Sequence, residues 1–127
     1  MSVPPILVAV LVGLAVSAPA RAHHGTAMYD FSGDVILTGT VADYSFESPH
    51  IWLTLKAPGA GGRMADWSLE GPPPAYAVNR GWARDSLRPG QTVTVAVARR
   101  KDAPNAGLII SVAEPGGKVL LERGRRY

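Results

Sequence analysis

The sequence predicts an all-β domain with one short helix: a small OB-like barrel of five or six strands behind a signal peptide. Three observations carry that prediction. From Val35 onward, short segments rich in β-branched residues alternate apolar and polar positions. A proline-opened, helix-compatible stretch separates the third of these segments from the fourth, where an OB-type barrel carries its helix. An apolar run of 11 residues, Ile6 to Val16, precedes small residues at Pro19, Ala20 and Ala22. A small open sandwich is the competing arrangement of the same strands.

The leader comes first in the chain. Its apolar run falls within the roughly 7–15 residues of a signal-peptide core and short of the ~20 needed to span a bilayer. Ala20-Arg21-Ala22 has the small-x-small pattern of a cleavage site. Residues 1–22 are therefore read as signal peptide, with export to the periplasm. Met1 to Pro5 contains no Lys or Arg, so an uncleaved anchor is the alternative. After cleavage the chain is not expected to be an integral membrane protein, since no second apolar run approaches membrane length.

Residues 23–34 read as an N-terminal arm without clear period, and residues 35–121 as the barrel domain. Val35 to Tyr44 is the first strand, with Gly39 marking a bulge or sharp bend. Glu47-Ser-Pro-His50 is a turn. Ile51, Leu53 and Leu55 alternate with Trp52, Thr54 and Lys56 in the second strand. Pro58 to Gly62 is a hairpin loop. Ala65, Trp67 and Leu69 face inward on the third strand. Pro72-Pro-Pro74 opens a short helix over Ala75–Arg80, and Gly81 stands where a C-terminal cap belongs. Val93, Val95 and Val97 share one face of the fourth strand, and Leu108, Ile110 and Val112 one face of the fifth. Val119-Leu-Leu121 adds a short edge strand. Residues 122–127 form a basic tail, read as solvated.

Composition narrows the function classes. The chain has no cysteine among 127 residues, which excludes disulfides, cysteine-zinc sites, iron–sulfur clusters and thiol catalysis. Lys plus Arg exceed Asp plus Glu, 13 against 10, and Arg21 leaves with the leader. A basic tail can touch anionic lipid or nucleic acid, but the tail is read as a solvated terminus, and export argues against a nucleic-acid partner. Asp66 and Glu70 share one face of the third strand, but as a solvated face rather than a catalytic pair. Ser48 and Ser68 lack a nearby base in sequence, and Gly59 to Gly62 lacks the Lys-Ser/Thr of a phosphate loop. The chain is read as non-enzymatic.

The motifs Ala22-His23-His24, Ser48-Pro49-His50-Ile51-Trp52, Trp67-Ser68-Leu69-Glu70-Gly71, Gly81-Trp82 and Leu87-Arg88-Pro89-Gly90-Gln91 occur in that order. In these the chain resembles a family of short exported bacterial proteins of unknown function, whose motifs are A-H-H, N-P-H-x-W, W-x-x-E/G, G-W and L-x-P-G-D. Ser48 stands for the usual Asn and Gln91 for the usual acidic residue. The resemblance implies export and the fold, and no activity.

The only histidines are His23, His24 and His50. Cleavage after Ala22 makes His23 the first residue, and an amine with an imidazole on one residue chelates Cu(II), which favours nitrogen ligands in tetragonal geometry. Neighbours in an extended arm point to opposite sides, so His50 is the better second imidazole and His24 a substitute. Cleavage after Ala20 instead places His23 third, where the amine, two backbone amides and the imidazole can enclose Cu(II) in a square plane. The expected cofactor is thus copper, held by His23, His24 and His50. The competing expectation is a structural or partner-binding module without metal, using a surface at Pro49 and Trp52. Trp52 lies on the face opposite Ile51 and Leu53, while Trp67 belongs to the core. A copper-dependent oxidase ranks below both, because so small a barrel leaves little room for a shaped substrate site. The protein partner is not identified by the sequence.

Overall fold

The computed structural model of the chain describes residues 25–123. The leader, His23 and His24, and the last four residues of the basic tail lie outside that range. Six strands follow a short 3-10 turn at Thr26–Met28: β1 (Tyr29–Ser45), β2 (Trp52–Pro58), β3 (Met64–Glu70), β4 (Thr92–Arg100), β5 (Ala106–Ala113) and β6 (Val119–Glu122). One helix, α1 (Pro74–Val78), lies between β3 and β4.

Strand order is β3-β2-β1-β4-β5-β6, and a parallel pairing of β3 with β5 closes the first five into a barrel. All other pairs are antiparallel. This is the five-stranded OB-type closure that the order of elements predicts, with β6 added outside it. One edge of β5 is shared between two partners. Ala106 to Leu108 pair with β3, and Ser111 to Ala113 pair with β6. The added strand therefore covers an edge that the barrel leaves open.

β1 starts at Tyr29, six residues before the alternation becomes legible at Val35. Tyr29 and Asp30 pair with Arg100 and Arg99, and the register then shifts before Val35 meets Val97. That irregularity erases the period-2 signal over residues that the sequence assigns to an arm. Farther along, β1 passes from β4 to β2, and Thr40 pairs with both. Gly39 sits at this crossing, where an added Cβ would lie 2.2 Å from the Lys56 carbonyl oxygen. The glycine is required by close backbone approach, and the register shift itself falls between Val41 and Asp43.

The core is built from both sides of that closure. Leu37, Val41, Ile51, Leu53, Leu55, Trp67, Leu69, Val93, Val95, Val97 and Val112 are buried in one cluster, as alternation predicts, and Val35 packs at its margin half-buried. Fully burying an Ile or Leu side chain contributes about 1.5–3 kcal/mol. Trp67 donates from Nε1 to the Pro58 carbonyl at 3.2 Å, so its one polar atom is satisfied. Trp82, after α1, is also buried, and its Nε1 donates to the Glu122 carbonyl on β6 at 3.4 Å.

Two parts of the chain depart from the pattern that alternation predicts. Leu108 and Ile110 are buried, but in a second, smaller cluster with Tyr29 and Ala98 rather than with Val112. Val97 pairs with Ile109 and Ala96 with Ser111, which leaves Ile110 as an extra residue in β5. Such a bulge reverses the alternation across it, so Ile109 before it shares the main core with Val112 after it. Arg123, assigned to the solvated tail, is only 6% exposed, and its N–H donates to the Ile110 carbonyl at 2.9 Å.

Candidate functional site

His50, Pro49 and Trp52 come together at one end of the barrel. With Tyr29, Glu70 and Arg100 they line a cleft of about 510 Å³. His50 and Pro49 come from the loop before β2, Trp52 from the first position of β2, Glu70 from the last position of β3, and Tyr29 from the first position of β1. Arg100 closes β4 opposite Tyr29 in the ladder.

Backbone contacts hold the loop in place. Ile51, fully buried, donates its N–H to the Pro72 carbonyl at 3.1 Å and accepts from the Gly71 N–H at 2.7 Å. An added Cβ at Gly71 would stand 2.9 Å from the Ile51 Cβ, so glycine permits this clamp. His50 is thereby fixed one residue before an anchored core side chain. The Ser48–Pro49 peptide is cis.

Glu70 is the centre of the site. Its Oε1 lies 3.0 Å from Nδ1 of His50, and its Oε2 accepts a hydrogen bond from the Tyr29 hydroxyl. The Glu70 side chain is 18% exposed and that of His50 36%. One carboxylate thus ties the loop before β2 to the start of β1. An imidazole that donates from Nδ1 carries its remaining lone pair on Nε2. This is the arrangement in which a carboxylate orients a metal-ligating histidine.

The surrounding charges follow from the same geometry. Burial first, and then the hydrogen bond to Glu70, push the Tyr29 phenol well above its ordinary value. The Arg100 and Arg123 guanidiniums oppose that shift. Tyr29 therefore remains a neutral donor to the carboxylate. Asp102 grips Arg100 through two contacts, Nε to Oδ1 at 2.6 Å and Nη2 to Oδ2 at 3.3 Å, and this pairing raises the guanidinium's affinity for its proton.

Trp52 is 39% exposed, as its place in the alternation predicts. With Tyr29 and Arg100 it also borders a second cleft of about 380 Å³, which continues past Asp66 and Ser68 to the loop after β4. Asp66 is exposed and 3.6 Å from Lys56, in keeping with a solvated face. Glu70 departs from that reading, because the end of β3 turns its carboxylate onto His50. The signal for it was present. Glu70 pairs directly with Trp52 across β2 and β3, so an outward Trp52 places Glu70 beside it, two residues from His50. No comparable signal marked Tyr29 or Arg100, which reach the site only through the extension of β1.

Among the described residues no group of three or more His, Cys, Asp or Glu could hold a metal ion. His50 alone of the three candidate ligands lies within them. No helix among them is long and apolar enough to cross a membrane.

No curated protein and no solved structure is significantly similar to the chain. A family model matches residues 11–111, most of its length, and the chain belongs to that family, a family of unknown function designated DUF6152.

Proposed function

We propose that the chain is an exported, non-enzymatic binding protein that holds Cu(II) between its mature N-terminus and His50. The amine and imidazole of His23 supply two nitrogens, Nε2 of His50 a third, and His24 is the substitute ligand. The A-H-H and P-H-x-W motifs are then two parts of one site. The observation that carries this reading is the 3.0 Å contact of Glu70 with Nδ1 of His50, which leaves Nε2 as the ligating atom.

The placement of the arm supports it. Met28 lines the same cleft as His50. Its carbonyl accepts from the Lys101 N–H at 2.9 Å, and the Lys101 ammonium donates to the Ala27 carbonyl at 3.1 Å. The chain before Met28 thus departs from the cleft's own rim. His23 is two residues before Gly25, the first described residue, and Gly25 accepts from the Met28 N–H at 3.2 Å.

The test uses protein recovered from the periplasm. Intact mass is expected to give a chain beginning at His23, and calorimetry one Cu(II) per chain. His50→Ala is expected to weaken binding by at least about tenfold, the scale of one lost imidazole nitrogen. Unchanged affinity in His50→Ala overturns the reading.

A second reading rests on Trp52, which is shared by both clefts. In it the face around Pro49 and Trp52 binds a protein partner and no metal. It is distinguished by the absence of stoichiometric copper from the correctly processed chain.

A further inference from the structure

A methionine is among the residues that line the cleft. Met28 is half-buried and lines the cavity of about 510 Å³ together with His50 and Glu70. Met64, the other methionine among the described residues, is exposed at the opposite end of β3. Met28 is held in place rather than carried on a free arm. Its N–H donates to the Gly25 carbonyl at 3.2 Å, and its carbonyl accepts from Lys101.

We propose that the Met28 thioether and Nε2 of His50 form a Cu(I) site in this cleft, so that the protein retains reduced copper as well as Cu(II). The inference rests on reading the cleft as a copper site and adds a ligand and an oxidation state to it. Thioether sulfur is a soft donor that selects Cu(I), and imidazole serves copper in either state. Cu(I) is content with few ligands, so a sulfur and an imidazole nitrogen form the core of a site without the terminal amine. The nitrogen-rich terminus favours Cu(II), and the sulfur at the rim favours Cu(I). Glu70 on Nδ1 serves both by orienting the same imidazole.

Met28 also packs against the small cluster of Tyr29, Ala98, Leu108 and Ile110. Packing requires only an apolar side chain of similar volume, which leucine provides at a cost usually below about 1.5 kcal/mol. Met28→Leu therefore separates packing from ligation.

The experiment supplies Cu(I) anaerobically to the processed protein, in competition with a chromophoric Cu(I) chelator. Cu(II) affinity is measured separately by calorimetry. Met28→Leu is expected to weaken Cu(I) binding by about tenfold or more while Cu(II) affinity is unchanged. X-ray absorption of the Cu(I) form is expected to show a sulfur neighbour that the variant lacks. Equal Cu(I) affinity in the two proteins, or no Cu(I) binding by the unaltered chain, overturns the proposal. Failure of the Cu(II) reading is a different result: an extra residue ahead of His23 leaves Cu(II) binding unchanged, while the Cu(I) loss in Met28→Leu persists.

Discussion

Glu70 has two hydrogen-bond obligations at once, to Tyr29 and to His50. A carboxylate can accept both, one on each oxygen, whereas an amide offers a single acceptor oxygen. Glu70→Gln therefore leaves either the phenol or the imidazole without its partner. The expected cost is about 1–3 kcal/mol, read as a lower urea midpoint at unchanged slope. Copper affinity is expected to fall by about 10- to 100-fold, the usual effect of losing a carboxylate behind a ligating histidine. Phenols give a second test at this scale. Burial pushes Tyr44 up to about 12, with the Asp85 charge adding to it, and Tyr29 is raised further by burial and by Glu70. Both folded values exceed the unfolded value near 10, so the stability these phenols contribute is complete below about pH 10. It is lost as pH rises through the folded values. Ultraviolet titration is expected to show late phenolate formation that Tyr44→Phe reduces. Ionisation of all tyrosines near pH 10 in the folded protein contradicts this.

At the scale of elements, Gly39 and Ile110 show what alternation can and cannot locate. An added methyl at Gly39 meets the Lys56 carbonyl and the Ala57 side chain, both on the paired strand. Gly39→Ala is expected to lower stability by about 1–3 kcal/mol in a urea titration, since the opposing groups are part of a closed barrel. A neutral outcome shows that β1 can shift there. The strands themselves were legible because β-branched and apolar residues recur every second position and Gly-Pro turns separate them. The helix was legible from prolines at its start and Gly81 after it. What was not legible are the irregularities. The β1–β4 shift after Asp30 hid six residues of strand, and the extra residue at Ile110 moved half of β5 to another cluster. Period-2 patterns carry no mark for a single inserted residue. The site suffered in the same way. His50, Pro49 and Trp52 could be named from motif and alternation, whereas Tyr29, Arg100 and Met28 enter the cleft only because β1 begins early and pairs with the end of β4.

For the whole molecule, closure of β3 on β5 makes one interior of both halves, and Val95 lies fully buried within it. Val95→Asp places a charge there with no partner, at a cost of about 3–5 kcal/mol. Against the roughly 5–15 kcal/mol of a typical domain, that is expected to lower the melting temperature by more than about 10 °C. An unchanged melting curve contradicts the register. The same closure brings the loop before β2, the end of β3 and the start of β1 to one rim, and the chain leading to β1 leaves from that rim. The proposed function depends on this convergence, because it sets His50 and the segment before β1 at one rim. The most direct measurement is electron paramagnetic resonance of the Cu(II)-loaded protein, beginning at His23 or carrying one extra Met ahead of it. The native terminus is expected to give a single tetragonal signal with nitrogen couplings at one copper per chain. With the extra Met, that signal is expected to change and binding to weaken. Identical spectra and affinities from the two proteins contradict the account.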